Sequence, residues 1–238
     1  MSRGLVPIFD EGEIERFNPP HFVDLGLPSR TLWWDRNLGA ETPKDAGLYF
    51  QWGDIQGYTK DQVGVDKQFD KNWTGYTHYK YESFTKYCKK TGEFDFTTLQ
   101  PEDDAVYQVF KNPQMHIPAD WQFRELLSNL VGEEHGKWYK YEHVTWWVER
   151  DKDKKFIGYT IKSNTNNNSI FLPASGDACF GDVSDEGQCG YFWSGSLDAG
   201  GVQHACRLYF YSGGQFVGSG LRSVGFPIRP CTIGTNHK

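Results

Sequence analysis

The residues able to do chemistry in this sequence are numerous but dispersed. Five cysteines, Cys88, Cys179, Cys189, Cys206 and Cys231, form no C-x-x-C pair, and their odd number leaves at least one thiol unbridged. Spacing allows five free, mostly buried thiols, or a Cys206–Cys231 or Cys179–Cys189 bridge in an oxidising compartment. The histidines, His21, His78, His116, His135, His143, His204 and His237, complete neither H-E-x-x-H nor a Cys/His zinc pattern. Glu102-Asp103-Asp104 follows Pro101, where carboxylates oppose the positive end of a helix dipole more often than they hold calcium. Asp177, Asp182, Asp185 and Glu186 lie on a glycine-rich stretch and are the better calcium candidate, yet neither run is assigned a metal. Ser194-Gly195-Ser196 lacks the G-x-S-x-G context of an activated serine. No catalytic residue, no cofactor and no metal site is expected.

Binding is the chemistry that remains. Aromatic residues make up 16% of the chain, and Tyr and Trp offer a rigid apolar face with one polar handle, suited to sugar rings or protein surfaces. Strand alternation along residues 205–211 turns Leu208 and Phe210 inward and Arg207, Tyr209 and Tyr211 outward. With Gln215, Ser219, Leu221, Arg222 and Ser223 on the turn that follows, these form the candidate ligand face. The plain alternative is a solvated sheet face without a ligand.

One domain and an arm must position these residues. At 238 residues and net charge −6, the chain is long enough to bury a substantial core. A mean hydropathy of −0.65, with apolar runs as short as Ile170-Phe171-Leu172, leaves nothing near the roughly 20 residues of a transmembrane helix. The densest basic stretch, residues 150–155, is interrupted by two Asp, so no basic stripe follows phosphates and nucleic acid is not an expected partner. Residues 1–20 contain Pro7, Pro19 and Pro20 and four acidic residues. They are expected to form an arm without a secretory signal. Its apolar members Leu5, Val6, Ile8 and Phe9 are candidates for oligomerisation or attachment, packing on a partner subunit or on their own domain.

From His21 a hairpin is expected over residues 22–25 and 31–34. Residues 53–97 lack a sustained period and predict a long irregular excursion held by its aromatics. Pro101 and its acids open one helix through Ala105, Val109 and Phe110. Pro118 and Asp120 open a second, with Trp121, Phe123, Leu126, Leu127 and Leu130 as its apolar stripe until Gly132. Residues 144–148 and 156–161 flank a charged turn, and 169–173 form a short strand. Further strands are expected at 190–194, 205–211, 215–217 and 226–230, with Gly213-Gly214 as a turn. The fold class is α+β, with the first and last strands closing together.

Seven segments then carry a resemblance. They are Val23-Asp24-Leu25-Gly26-Leu27-Pro28-Ser29 with Thr31-Leu32-Trp33, Leu48-Tyr49-Phe50-Gln51-Trp52-Gly53-Asp54, Glu102-Asp103-Asp104-Ala105, and Ile117-Pro118 with Glu125-Leu126-Leu127. Ser169-Ile170-Phe171-Leu172-Pro173-Ala174-Ser175-Gly176, Gly190-Tyr191-Phe192-Trp193-Ser194 and Gly225-Phe226-Pro227-Ile228-Arg229-Pro230 complete them. In this order they resemble a major paralogous repeat family of Bacteroidetes and Fibrobacter, over residues 21–231.

The resemblance implies a C-type-lectin-like domain over residues 21–238, related to formylglycine-generating enzymes and to retroelement-diversified variable proteins. Two helices would lie beside a twisted antiparallel sheet, with an extended N-terminal arm. In the diversified relatives the C-terminal part carries the ligand contacts, which agrees with the candidate face. An oxidase of the formylglycine-generating type needs a cysteine pair. Only Cys206 and Cys231 stand in the right part of the chain, without the expected local motif, so an enzyme is not expected. The sugar-calcium motifs of true C-type lectins are absent too.

Together with the arm, the resemblance implies a non-enzymatic virion protein of a Bacteroidetes phage. It would be a fibre or capsid decoration subunit made in the host cytoplasm, a homotrimer held to other virion proteins without membrane insertion. Its task would be host attachment, binding cell-surface or mucin glycans or proteins. The alternative is an exported bacterial surface binding protein whose signal is missing from this sequence.

Overall fold

Runs rich in Val, Ile, Thr and aromatic residues, bounded by Gly, Asn and Asp, dominate this chain, and such runs favour pleated, half-buried strands. The computed structural model describes residues 21–66, 69, 72–88 and 96–234; Leu5, Val6, Ile8 and Phe9 lie outside the described residues. The result is a mixed but sheet-dominated, antiparallel fold, with sixteen strands and three short α-helices among the described residues.

The opening hairpin forms as expected, from β1 (Phe22–Asp24) and β2 (Thr31–Trp34). Among its described residues the excursion after it is irregular apart from a helix the periodicity did not show, α1 (Lys60–Asp66), and a small hairpin, β3 (Tyr79–Lys80) with β4 (Ser83–Phe84). Its aromatics hold it together: Trp73 packs against Tyr76, Tyr79 and Phe84 at centroid distances of 4.8–5.7 Å. A 3-10 turn over Pro101–Asp103 leads into α2 (Ala105–Phe110), then β5 (Met115–His116) and α3 (Asp120–Glu125). A five-stranded meander follows: β6 (Leu130–Glu134), β7 (Trp138–Tyr141), β8 (Val144–Arg150), β9 (Phe156–Ser163) and β10 (Ser169–Pro173). The hairpin of β11 (Asp177–Cys179) and β12 (Asp182–Ser184) leads to a three-stranded sheet of β13 (Cys189–Leu197), β14 (His204–Tyr211) and β15 (Gly214–Leu221). Finally β16 (Cys231–Ile233) returns to pair with β2 and β5, so the first and last strands close in one sheet ordered β1-β2-β16-β5.

Two corrections concern element bounds. The second helix stops at Glu125 instead of running to Gly132. Asn129 takes a positive φ of 47° and Leu130 enters β6 opposite Tyr141, so ladder hydrogen bonds capture residues 130–134. Phe123 and Leu126 are fully buried, whereas Trp121 and Leu130 are exposed and leave the expected stripe. Residues 226–230 are not a strand: Pro227 and Pro230 have no N–H to donate to a ladder. Their carbonyls instead accept from Trp193 and Trp34, and Phe226 makes a single bridge with Phe50, so the strand begins only at Cys231.

Two of the three buried clusters among the described residues fill most of the interior. One joins Trp33, Phe123, Trp146, Tyr159, Phe192 and Phe210 between the meander and the three-stranded sheet. The other joins Trp34, Phe50, Trp52, Trp193 and Phe226. Three of the sequence motifs meet in the second: Trp193 Nε1 donates to the Phe50 carbonyl and Trp52 Nε1 to the Ser194 carbonyl, both at 2.7 Å. Each such side chain contributes roughly 1.5–3 kcal/mol by burial, and these bonds remove the cost of burying indole N–H groups.

Candidate functional site

The candidate face begins with β14. Its alternation is as expected: Leu208 and Phe210 are fully buried, Arg207 and Tyr209 half-buried and Tyr211 exposed. A two-residue turn at Ser212 and Gly213 sets the register with β15, pairing Tyr211 with Gly214, Tyr209 with Phe216 and Arg207 with Gly218. Directly paired residues share a sheet face, so the outward side of β15 carries Phe216, Gly218 and Gly220. On the other flank, Tyr191 of β13 pairs with Tyr209.

The outward side chains form an aromatic ladder around one guanidinium. Tyr209 lies 4.9 Å from Tyr191, 4.6 Å from Phe216 and 6.1 Å from Tyr211, between ring centroids. Tyr191 stacks on Phe226 at 5.2 Å. The Arg207 guanidinium sits over the rings of Tyr191, Tyr209 and Phe226 at 4.7, 5.0 and 5.4 Å, each a cation–π contact. Its Nε donates to the Ser219 carbonyl at 2.8 Å, while its Nη1 is buried without a hydrogen-bond partner. Burial lowers the pKa of Arg207. The Tyr209 hydroxyl lies 3.5 Å from Cys189 Sγ, and burial with that contact raises its pKa to about 12, keeping it a neutral donor. Beside Arg207 opens a cleft of about 330 Å³, lined by Asp177, Tyr191, His204, Arg207, Gly220 and Phe226 among others.

Of the residues the sequence assigned to this face, the structure brings Arg207, Tyr209 and Tyr211 together. Ser219 and Leu221 line the cleft, but Gln215 pairs with the core residue Phe210 and is itself buried. Arg222 and Ser223 are fully buried and do not reach the face. Arg222 lies in a cage of Trp52, Tyr76, Phe84 and Tyr87, with bonds to the Tyr76 hydroxyl and the carbonyls of Lys86, Tyr87 and Val202. Phe216 and Tyr191 were missed. The parity of a two-residue loop after Tyr211 is the signal that would have placed Phe216 outward and Gln215 inward.

The other candidate chemistry is absorbed by structure. Asp104 caps α2, accepting from the N–H groups of Val106 and Tyr107, and its second oxygen accepts from Ile117 at 2.9 Å. Asp103 pairs with Lys86 and accepts from the Tyr87 hydroxyl. In the glycine-rich stretch, Asp185 accepts from the Tyr191 hydroxyl, Glu186 pairs with Lys60, and Asp182 holds its neighbour's N–H. No group of three or more His, Cys, Asp or Glu among the described residues is placed to hold a metal ion. None of the five cysteines forms a disulfide, so neither bridge option is seen. Burial pushes the Cys206 thiol up to about 11 and the Cys231 thiol well above its ordinary value, so both stay protonated at neutral pH. No protein-family model matches the chain, and neither a curated protein nor a solved structure matches it.

Proposed function

We propose that this chain is a non-enzymatic binding protein that displays a C-type-lectin-like domain, a virion fibre or decoration subunit of a Bacteroidetes phage that attaches to bacterial surface or mucin glycans or proteins. The observation that carries the binding reading is the ladder of Tyr191, Tyr209, Tyr211 and Phe216 around Arg207, with Tyr211 44% and Phe216 47% exposed. Aromatic rings backed by a rigid sheet bind at low entropic cost because few rotors are frozen. The lectin-like reading is supported by the pairing of β2 with β16, which brings the first and last strands together, and by α2 and α3 between them in sequence. The two protonated, buried thiols favour this reading over an oxidase.

The virion setting joins the resemblance carried by the seven motifs to the proline-broken apolar arm of residues 1–20, and trimeric display would raise avidity from weak single sites. A glycan and glycoprotein array tests the binding reading. Tyr209→Ala with Tyr211→Ala is expected to abolish the array signal, whereas Trp121→Ala, an exposed side chain outside the ladder's ring contacts, leaves it intact. Unchanged binding by the double variant overturns the face.

A further inference from the structure

A second cleft opens over the meander and shares no residue with the one at Arg207. It measures about 580 Å³, within the range of small-molecule sites, and is lined by Pro43, Lys44, Glu149, Arg150, Ile157 and Phe171 among others. Its floor depends on two breaks in strand alternation. Neighbours in a regular strand point to opposite faces, yet Glu149 and Arg150 both line the cleft, because the ladder between β8 and β9 shifts register between them. Such a bulge re-aims a side chain. Opposite Glu149 stands Gly158, with a φ of 143° that favours glycine. On either side of it Phe156 and Tyr159 are buried, while Ile157 and Thr160 line the cleft. A Cβ on Gly158 would come within 2.9 Å of the Phe171 ring, so the missing side chain makes room for that ring.

Two cations line this cleft without a countercharge. The carboxylates near them in sequence are engaged: Asp45 accepts the Thr42 N–H, Asp35 pairs with Arg36, Asp151 accepts the Asp153 and Lys155 N–H groups, and Glu149 accepts the Thr160 hydroxyl. Neither Lys44 nor Arg150 has an ion-pair partner among the described residues. One nitrogen of Arg150, Nη1, donates to the Lys154 carbonyl at 3.1 Å, which leaves other donors of its fork for a ligand. Against Glu149, the two cations leave a surplus of one positive charge. An amine would meet that surplus as repulsion, and a neutral molecule would leave both cations unpaired. A dianion would exceed the surplus beside Glu149. A monocarboxylate matches it through charge-assisted hydrogen bonds, and an apolar body attached to it covers Pro43, Ile157 and Phe171.

We propose that this cleft binds one organic monocarboxylate with an apolar body, its carboxylate held by Lys44 and Arg150 and its body laid on Ile157 and Phe171. The site is separate from the aromatic ladder and stands or falls independently of the attachment reading. A ligand-observed NMR titration of the full chain tests it, with phenylacetate and octanoate as acids, their amides as uncharged counterparts and phenethylamine as a cation. At least one acid is expected to bind, roughly tenfold more tightly than its own amide, and to weaken as salt is raised, because Lys44 and Arg150 are exposed. Lys44→Met and Arg150→Met keep the stem and remove the charge. Each is expected to weaken that acid roughly tenfold without shifting the thermal midpoint by more than the Trp121→Ala control.

An amide or phenethylamine that binds as tightly as the acids overturns the ligand class. Binding of neither acid, or binding indifferent to both substitutions, overturns the site.

Discussion

Replacing Arg222 by Met separates a structural from a ligand-contacting role. The side chain is fully buried, and four bonds anchor it: to the Tyr76 hydroxyl at 2.9 Å and to the carbonyls of Val202 at 2.8 Å, Lys86 at 3.1 Å and Tyr87 at 3.2 Å. Those to Tyr76 and Tyr87 are buried, so truncation leaves two acceptors without water, at roughly 1–3 kcal/mol each. The acceptors on Val202 and Lys86 are partly exposed and can rehydrate, at a small cost. Loss of cation–π contact with Trp52, Tyr76, Phe84 and Tyr87 adds about 1–2 kcal/mol. Met retains much of the stem packing, and removing a buried charge relieves some desolvation. The expected net loss is about 3–5 kcal/mol, read from urea denaturation followed by tryptophan fluorescence. Residues 72–88 hang on these bonds, so limited proteolysis should cut there first. A loss below about 0.5 kcal/mol, as for an ordinary surface change, would refute the reasoning.

Three further outcomes follow from buried polar groups. His78 is held below its ordinary pKa of 6.5, chiefly by burial, with the charges of Arg222 and Lys86 adding to this and the Gly53 carbonyl and Asp103 opposing it. The unfolded chain therefore takes up a proton below pH 6.5 that the folded chain resists, so stability is full above that pH and lost as pH falls beneath it. His78→Gln should flatten this part of a urea-midpoint profile between pH 8 and 5. Asp104→Ala removes the α2 cap and orphans the Ile117 N–H, with an expected cost of about 2–4 kcal/mol by thermal or urea melting. Cys206 and Cys231, buried and protonated, should react with a thiol reagent no faster than the chain unfolds globally.

How far the fold was legible follows from where its information sits. The β8–β9 hairpin was readable because β-branched and aromatic runs flank a charged turn, in which the Asp151 carboxylate accepts the N–H groups of Asp153 and Lys155. The acids after Pro101 were readable as a helix start because capping is local. The end of α3 was not, since the pairing of residues 130–134 with β7 overrides a helical apolar pattern that continues past Glu125. Residues 226–230 misled because their apolar content suits a strand while two prolines deny it a ladder. In the site, Arg207, Tyr209 and Tyr211 came from period-two alternation alone. Arg222 and Ser223 were misplaced because the cage around Arg222 is built from residues 52–87, more than a hundred positions away in the chain. No local pattern announces such a partner.

The outward side of the β13-β14-β15 sheet is the proposed attachment surface. Hydroxyl-radical footprinting of the protein bound to its strongest array ligand tests this directly. Protection of Tyr209, Tyr211 and Phe216 is expected, with the exposed Leu130, Val131 and Trp147 of the meander unchanged. Protection of the meander residues with the ladder left reactive would contradict it.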